Sequence, residues 1–430
     1  MPPIGPPTFQ NGERARLEAR TAIEALRAGV PNRAAIRQMG TEQTVIEDAF
    51  EATLARAWID SGSTSADTRA AGIGFAGGFG TGKSHLLGYL AEVARQQGFV
   101  VSRVVVSKET PLSHPGHVFA AAVRDAALPD RPDDPIAACV TALREQPEVL
   151  DALEAEISTP AAEFAPIFAA GLFLIRRVST PPEMLRRIAR LWAGAKVSIP
   201  AIRQALTAAG AGRLFPIKAL PAGELTDQLI RFLPRLFRAS GFAGWCILFD
   251  EVELIGRYTP LQRALSYAWL GAWLGLDRGR RFAGIVSVYA ITDDFATAVI
   301  NARLDSEKLP ERLMLKGRTA EAGQALAGIH HIEATVQQHR LSPPSLHDLA
   351  ICQDKVRHLY STAYTWPVQP LPPPERISSR TLRQYIKGWI TQWDLRRLYD
   401  GDIVLVSETM TSDYTENATL AEPRALDNES

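Results

Sequence analysis

At 430 residues, with Lys+Arg 47 balanced by Asp+Glu 47, the chain carries no formal net charge. That excludes the strongly basic whole-chain footprint of a dedicated nucleic-acid binder, though not a local patch. The 46% hydrophobic content is ample for about two or three domains with proper cores. Cys139, Cys246 and Cys352 are scattered, without a C-x-x-C pair, and read as reduced, mostly buried side chains rather than a zinc site.

Residues 1–69 read as a helical preface. The first twelve are rich in Pro and Gly and are expected to be disordered. An amphipathic helix follows from Glu13 to Ala28, stopped by Gly29-Val-Pro31. Asn32 is placed to cap a short helix, a further helix spans Thr41 to Trp58, and Gly62 to Arg69 is a polar linker. No signal layout opens the chain, and its apolar runs fall short of the roughly 18 residues that span a bilayer. A cytoplasmic protein without membrane association is expected.

Residues 70–128 form the first part of an α/β core. A strand (Ala71–Ala76) runs into Gly77-Gly78-Phe79-Gly80-Thr81-Gly82-Lys83-Ser84, which fits the phosphate-loop pattern G-x-x-x-x-G-K-[ST]. A helix (Ser84–Gln97) and a second strand (Phe99–Ser107) complete a βαβ unit, so a parallel sheet is predicted. The glycines let successive amides turn toward an anion, and the helix start adds its positive end. Lys83 supplies charge for the β- and γ-phosphates, and the Ser84 hydroxyl is placed to ligate Mg²⁺. The candidate nucleotide contacts run from Gly77 through His85. Pro115 to Leu128 gives another helix.

Residues 129–240 read as an all-helical insertion, with helices at 136–145, 149–157, 162–177, 182–192, 199–209 and 222–239. Its Arg-rich turns around Arg186–Arg190 and Arg231–Arg238 suit a phosphate or a partner's carboxylates, and equally a solvated face. The core resumes over 241–340 with the apolar run Trp245-Cys-Ile-Leu-Phe ending in Asp250-Glu251. In an open parallel sheet, those two acids lie at the strand end where ligands bind. Asp250 is the candidate Mg²⁺ ligand and Glu251 the candidate general base. A helix within 256–281 is capped by the basic cluster Arg278-Gly-Arg280-Arg281. The strand Phe282–Ile291 ends in Thr292-Asp293, either of which could face a γ-phosphate. Arg303 and Arg312 are candidates for a charge reaching a neighbouring subunit's nucleotide, or plain surface residues. Ile332-Glu333 reads as a short last strand.

Residues 341–406 read as a C-terminal helical lid, with helices Leu346–Ala363 and Ser378–Leu395 joined by a Pro-rich connector. Arg380 is the candidate lid arginine for the γ-phosphate, and Asp402–Val406 a candidate edge strand. Residues 407–430 read as a disordered tail.

Four segments carry a resemblance: A-I-E-A-L-R-A-G-V-P-N-R (Ala22–Arg33), the loop G-G-F-G-T-G-K-S, V-V-S-K-E-T-P-L after the second strand, and L-F-D-E-V-E (Leu248–Glu253). Together they resemble the BREX phage-defence ATP-binding proteins of the BrxD type, over most of residues 13–395. The resemblance implies a P-loop NTPase fold of the additional-strand, catalytic-glutamate (ASCE) division, AAA+-like, with a helical C-terminal subdomain. It implies ATP and Mg²⁺ as cofactors, with Lys83 and Ser84 on phosphate and metal, Asp250 on the metal and Glu251 as base. It further implies a bacterial or archaeal host, DNA, and other BREX defence proteins including a helicase. A nucleotide-dependent homo-oligomer would account for an arginine acting in trans. An ATPase switch or motor subunit is the leading reading. The alternative is an ATP-gated DNA-binding or helicase-loading module in which hydrolysis is secondary; a degenerate scaffold and a small-molecule kinase fit the intact loop and paired acids less well.

Overall fold

The computed structural model describes residues 11–30, 32–57, 72–129, 134–159, 162–276, 282–374 and 381–399. Expectations for residues 1–10, Trp58, the 62–69 linker, the Arg278–Arg281 cluster, Arg380, the 402–406 strand and the 407–430 tail fall outside them. Among the described residues, no helix is long and apolar enough to cross a membrane.

Four strands form a parallel sheet: β1 (Gly72–Ala76), β2 (Phe99–Val105), β3 (Gly244–Asp250) and β4 (Ile285–Ile291), in the order β1-β4-β3-β2. The last strand is thus inserted between the first and third, with Phe75 opposite Ala290 and Phe249 opposite Tyr289. The C-terminal ends of β1 and β3 therefore flank β4, with one strand's width between them. Every residue of β3 and β4 is buried, because helices cover both faces, and the run is apolar without alternation for that reason. Trp245, Ile247 and Phe249 face one layer while Cys246 and Leu248 face the other.

The first layer is the large one. The insertion helices α6 (Pro135–Arg144), α7 (Pro147–Ile157), α8 (Pro166–Arg176), α9 (Pro182–Trp192), α10 (Ile199–Ala208) and α11 (Ala222–Ala239) share one core with that face of the sheet. α5 (Pro115–Asp125), α12 (Pro260–Trp273), α13 (Asp305–Leu315) and α14 (Thr319–Gln338) complete it. Several of these helices begin on Pro, whose fixed φ suits the first helical position and whose missing N–H is not needed there. The second layer is α3 (Thr44–Ala55) and α4 (Lys83–Gln96), which cover the other face through Phe50, Leu54, Leu87 and Leu90.

The third core joins the two ends of the folded chain. Ile23 of α1 (Asn11–Ala28) and Met39 of α2 (Arg33–Met39) pack with Tyr360 of α15 (Leu346–Tyr364) and Trp389 and Trp393 of α16 (Leu382–Tyr399). Asn32 caps α2 through bonds from the Ala34 and Ala35 amides, and Ser345 with Asp348 forms a capping box at α15. All three cysteines are free and buried.

One expected element is corrected. Ile332-Glu333 is not a strand but lies in the twenty-residue helix α14. Strand-like pairing comes just after it: His339 O accepts from Ala76 N at 2.8 Å and Leu341 N donates to Ala76 O at 2.7 Å. The Ile332 signal was one β-branched residue inside a run whose Ala325, Ile329 and Ile332 line a helical face.

Candidate functional site

The site lies at the C-terminal ends of β1 and β3. After β1 the chain turns through Gly80 (φ +74°) and Gly82 (φ +108°), which only glycine adopts freely, before α4 begins at Lys83. Lys83 is folded back on this loop, donating to Gly77 O (3.0 Å) and Gly78 O (3.3 Å), with its ammonium 5.0 Å above the Phe79 ring. The Thr81 hydroxyl donates to Gly78 O at 2.8 Å and helps fix the turn.

Ser84 and Asp250, 166 positions apart, meet here: the Ser84 hydroxyl donates to Asp250 Oδ2 at 2.9 Å. Asp250 Oδ2 also accepts from Arg103 Nη2 on β2, and Oδ1 accepts from the Glu251 amide. Glu251 turns off the end of β3 at φ 58°, ψ 33°, a left-handed conformation that costs a non-glycine residue about 1–2 kcal/mol. That turn points its carboxyl into the same cavity as Lys83 and Ser84. Confinement there, and then the adjacent Asp250, raise its pKa above the ordinary glutamate range. Such a shift suits a proton acceptor better than a plain surface acid.

The cavity holds about 820 Å³ and is walled by three parts of the chain. The phosphate loop contributes Phe79 through His85. The turn after α1 and the segment after α2 contribute Gly29, Val30 and Gly40–Gln43, and α15 and α16 contribute Cys352, Lys355, Arg383 and Lys387. The α16 start rests on the loop, since a Cβ at Gly80 would come within 3.1 Å of the Thr381 hydroxyl. The stem of Arg383 packs against Gly29, and its charge acts on Glu251.

His85 lines the cavity with the loop, and its ring Nε2 lies 2.8 Å from Gly40 O while burial lowers its pKa. It joins α4 to the segment after α2. Thr292 is buried at the end of β4 and is not among the cavity-lining residues, while neighbouring Asp293 pairs with Arg340 at 2.9 Å. Arg303 donates to Gly256 O, and Arg312 is exposed on α13. Arg380 lies outside the described residues; among the described residues of this region, Arg383 lines the cavity. Sequence reasoning passed over Arg103 and Glu253. Glu253 stood in plain view in the L-F-D-E-V-E segment, but its burial beside Lys83 (3.6 Å) shows only in the fold.

An anion fits the donor set: the helix start at Lys83, with that residue's ammonium and the Ser84 hydroxyl. A divalent cation would find the Ser84 hydroxyl and the Asp250 carboxylate, and no group of three or more His, Cys, Asp or Glu side chains that could hold a metal occurs among the described residues. That scarcity matches Mg²⁺, which takes one or two protein ligands and completes its shell with phosphate and water.

The parallel sheet, the inserted strand and the glycine loop leading into α4 define a P-loop NTPase-like fold. Residues 15–143 match the model of a family described as BREX system ATP-binding protein BrxC/D. The match spans most of the preface, the loop and β2, under a third of the chain, and agrees over that part with the resemblance read from the sequence. It stops short of β3, so the place of Asp250 and Glu251 rests on geometry. No curated protein and no solved structure matches the chain.

Proposed function

We propose that the chain binds ATP with Mg²⁺ at this site and hydrolyses it slowly, as a switch or motor subunit of a BREX defence system in the cytoplasm. The observation that carries the reading is the 2.9 Å bond between Ser84 and Asp250, which unites the loop with the acidic strand end. Lys83 and the loop amides bind the phosphates, and the Ser84 hydroxyl and Asp250 carboxylate hold the metal. Bound Mg²⁺ supplies charge that offsets the phosphate oxygens. Glu251, raised in pKa and open to the cavity, takes the proton of an attacking water. Arg383 supports the γ-phosphate side in the role expected of Arg380. A nucleotide-dependent homo-oligomer and other BREX proteins, a helicase among them, are the proposed partners.

The test is a pair of variants in the full chain. Lys83→Ala is expected to weaken binding of a fluorescent ATP analogue by about tenfold or more. Glu251→Gln is expected to keep that affinity and lower phosphate release about a hundredfold. Undiminished hydrolysis by Glu251→Gln would overturn the assignment of the base.

A second reading, ATP-gated DNA binding, has its own observation. Between Arg176 and Lys218 the chain carries nine basic residues against a single acid, Glu183, inside a protein of zero net charge. Among them Lys196, Arg213 and Lys218 are exposed and form no ion pair with described residues, and exposed Arg190 acts only at a distance on Glu183. Reversing Arg190 and Arg213 to Glu is expected to weaken duplex DNA binding and flatten its salt dependence by about two phosphate contacts. Binding isotherms at stepped salt, with and without ATP, read this; an unchanged slope counts against the reading.

A further inference from the structure

The site contains two ion pairs that the roles above leave unused. Lys83 Nζ lies 3.6 Å from Glu253 Oε1, and both side chains are buried, at 9% and 6% exposure. Neither carboxylate oxygen of Glu253 accepts a hydrogen bond, so the pairing with Lys83 is its main compensation for burial. On the other flank, Arg103 Nη2 sits 2.5 Å from Asp250 Oδ2, the oxygen that also accepts from Ser84. Each ligand-binding charge is thus matched by an opposite charge of the chain itself: Glu253 from the turn after β3, Arg103 from β2.

We propose that Glu253 and Arg103 are internal stand-ins, Glu253 for the phosphate anion on Lys83 and Arg103 for the divalent cation on Asp250. The proposal rests on the nucleotide-binding reading and adds two positioning residues to it. A buried ammonium and a buried carboxylate each need a counter-charge when no ligand supplies one. The same counter-charges then compete with the ligand. Glu253 holds Lys83 against the loop carbonyls, so nucleotide must draw the ammonium away and sit near a buried anion. Arg103 occupies the carboxylate oxygen nearest the Ser84 hydroxyl, so a metal must displace a guanidinium to reach it. The two effects separate by condition: Glu253 weakens nucleotide binding with or without metal, and Arg103 sets how much metal is needed.

The test titrates a fluorescent ATP analogue into the full chain in EDTA and then across stepped Mg²⁺, with unfolding melts as the control on folding. Glu253→Gln is expected to bind the analogue about three- to tenfold tighter in EDTA. Arg103→Gln is expected to leave EDTA affinity near wild type and to shift the Mg²⁺ midpoint about three- to tenfold lower. Arg103→Lys, which keeps the charge, is expected to restore the wild-type midpoint. If Glu253→Gln does not fold, Glu253→Met, of similar length and no charge, replaces it with the same expectation. Equal or weaker binding by a folded Glu253 variant overturns its role, and an unmoved Mg²⁺ midpoint in Arg103→Gln overturns that of Arg103. Failure of wild type to bind the analogue at all defeats the nucleotide-binding reading, and this proposal with it; wild-type binding with unmoved variants defeats the proposal alone.

Discussion

Glu253 is pushed up to about 7 by burial, even with Lys83 beside it, from an ordinary value of 4.5. Its folded pKa is raised, so the folded state binds more protons than the unfolded chain between those values. Stability contributed by the protonated acid is therefore present below about 4.5 and lost as pH rises to about 7. For a side chain 6% exposed the loss amounts to about 3 kcal/mol at most. His331 works in the opposite direction: burial lowers it from 6.5 to about 4, so its contribution is lost as pH falls through that window. The wild-type profile blends the two, but their difference is separable. The melting temperature of Glu253→Gln relative to wild type is expected to rise by several degrees between pH 5 and pH 8, in melts without nucleotide. An equal gap at both pH values would show that the acid does not titrate in this range. None of this is legible in the sequence, where Glu253 is one more acid after Asp250-Glu251 and only the packed environment sets it apart.

α2 is fastened to the phosphate-loop helix by charge. Glu92 on α4, nearly buried, receives Arg33 (2.6 Å), Arg37 (3.0 Å) and Arg95 (2.7 Å). Burial alone would raise the Glu92 pKa, but the arginines hold it below the usual glutamate value. Glu92→Ala is expected to cost about 1 kcal/mol, because it removes the shared partner of Arg33, Arg37 and Arg95, the first two of which stay half exposed to water. Hydrogen exchange checks it: amides of α2 should lose protection while those of β3 and β4 keep theirs, and uniform loss across the sheet would contradict a local tie. At this scale the sequence was informative wherever a repeat or a cap marks an element. Asn32 was placed as the cap of α2, and the insertion helices expected at 182–192, 199–209 and 222–239 are reproduced to within a residue, while those expected at 136, 149 and 162 start on or near prolines that the reading passed over. It misled at Ile332-Glu333, where one β-branched residue was overruled by a helical face. The phosphate loop and the Asp250-Glu251 strand end were legible because each needs fixed residue types over a short span.

Across the whole molecule, what the sequence withheld is who packs on whom. Nothing local in Ile23 or Trp393 says that they share a core, yet α1 and α2 are built into the C-terminal helices rather than standing apart. The same is true of Arg383, whose place beside Gly29 and Glu251 depends on that union. One result is a matter of timing. On the ribosome the glycine loop emerges early, with hundreds of residues still to come, but its cavity has no far wall until α16 is made and has found α1. A nascent chain therefore displays the glycine loop about three hundred residues before the last wall of its cavity is made, and the cavity closes only once α16 has packed on α1.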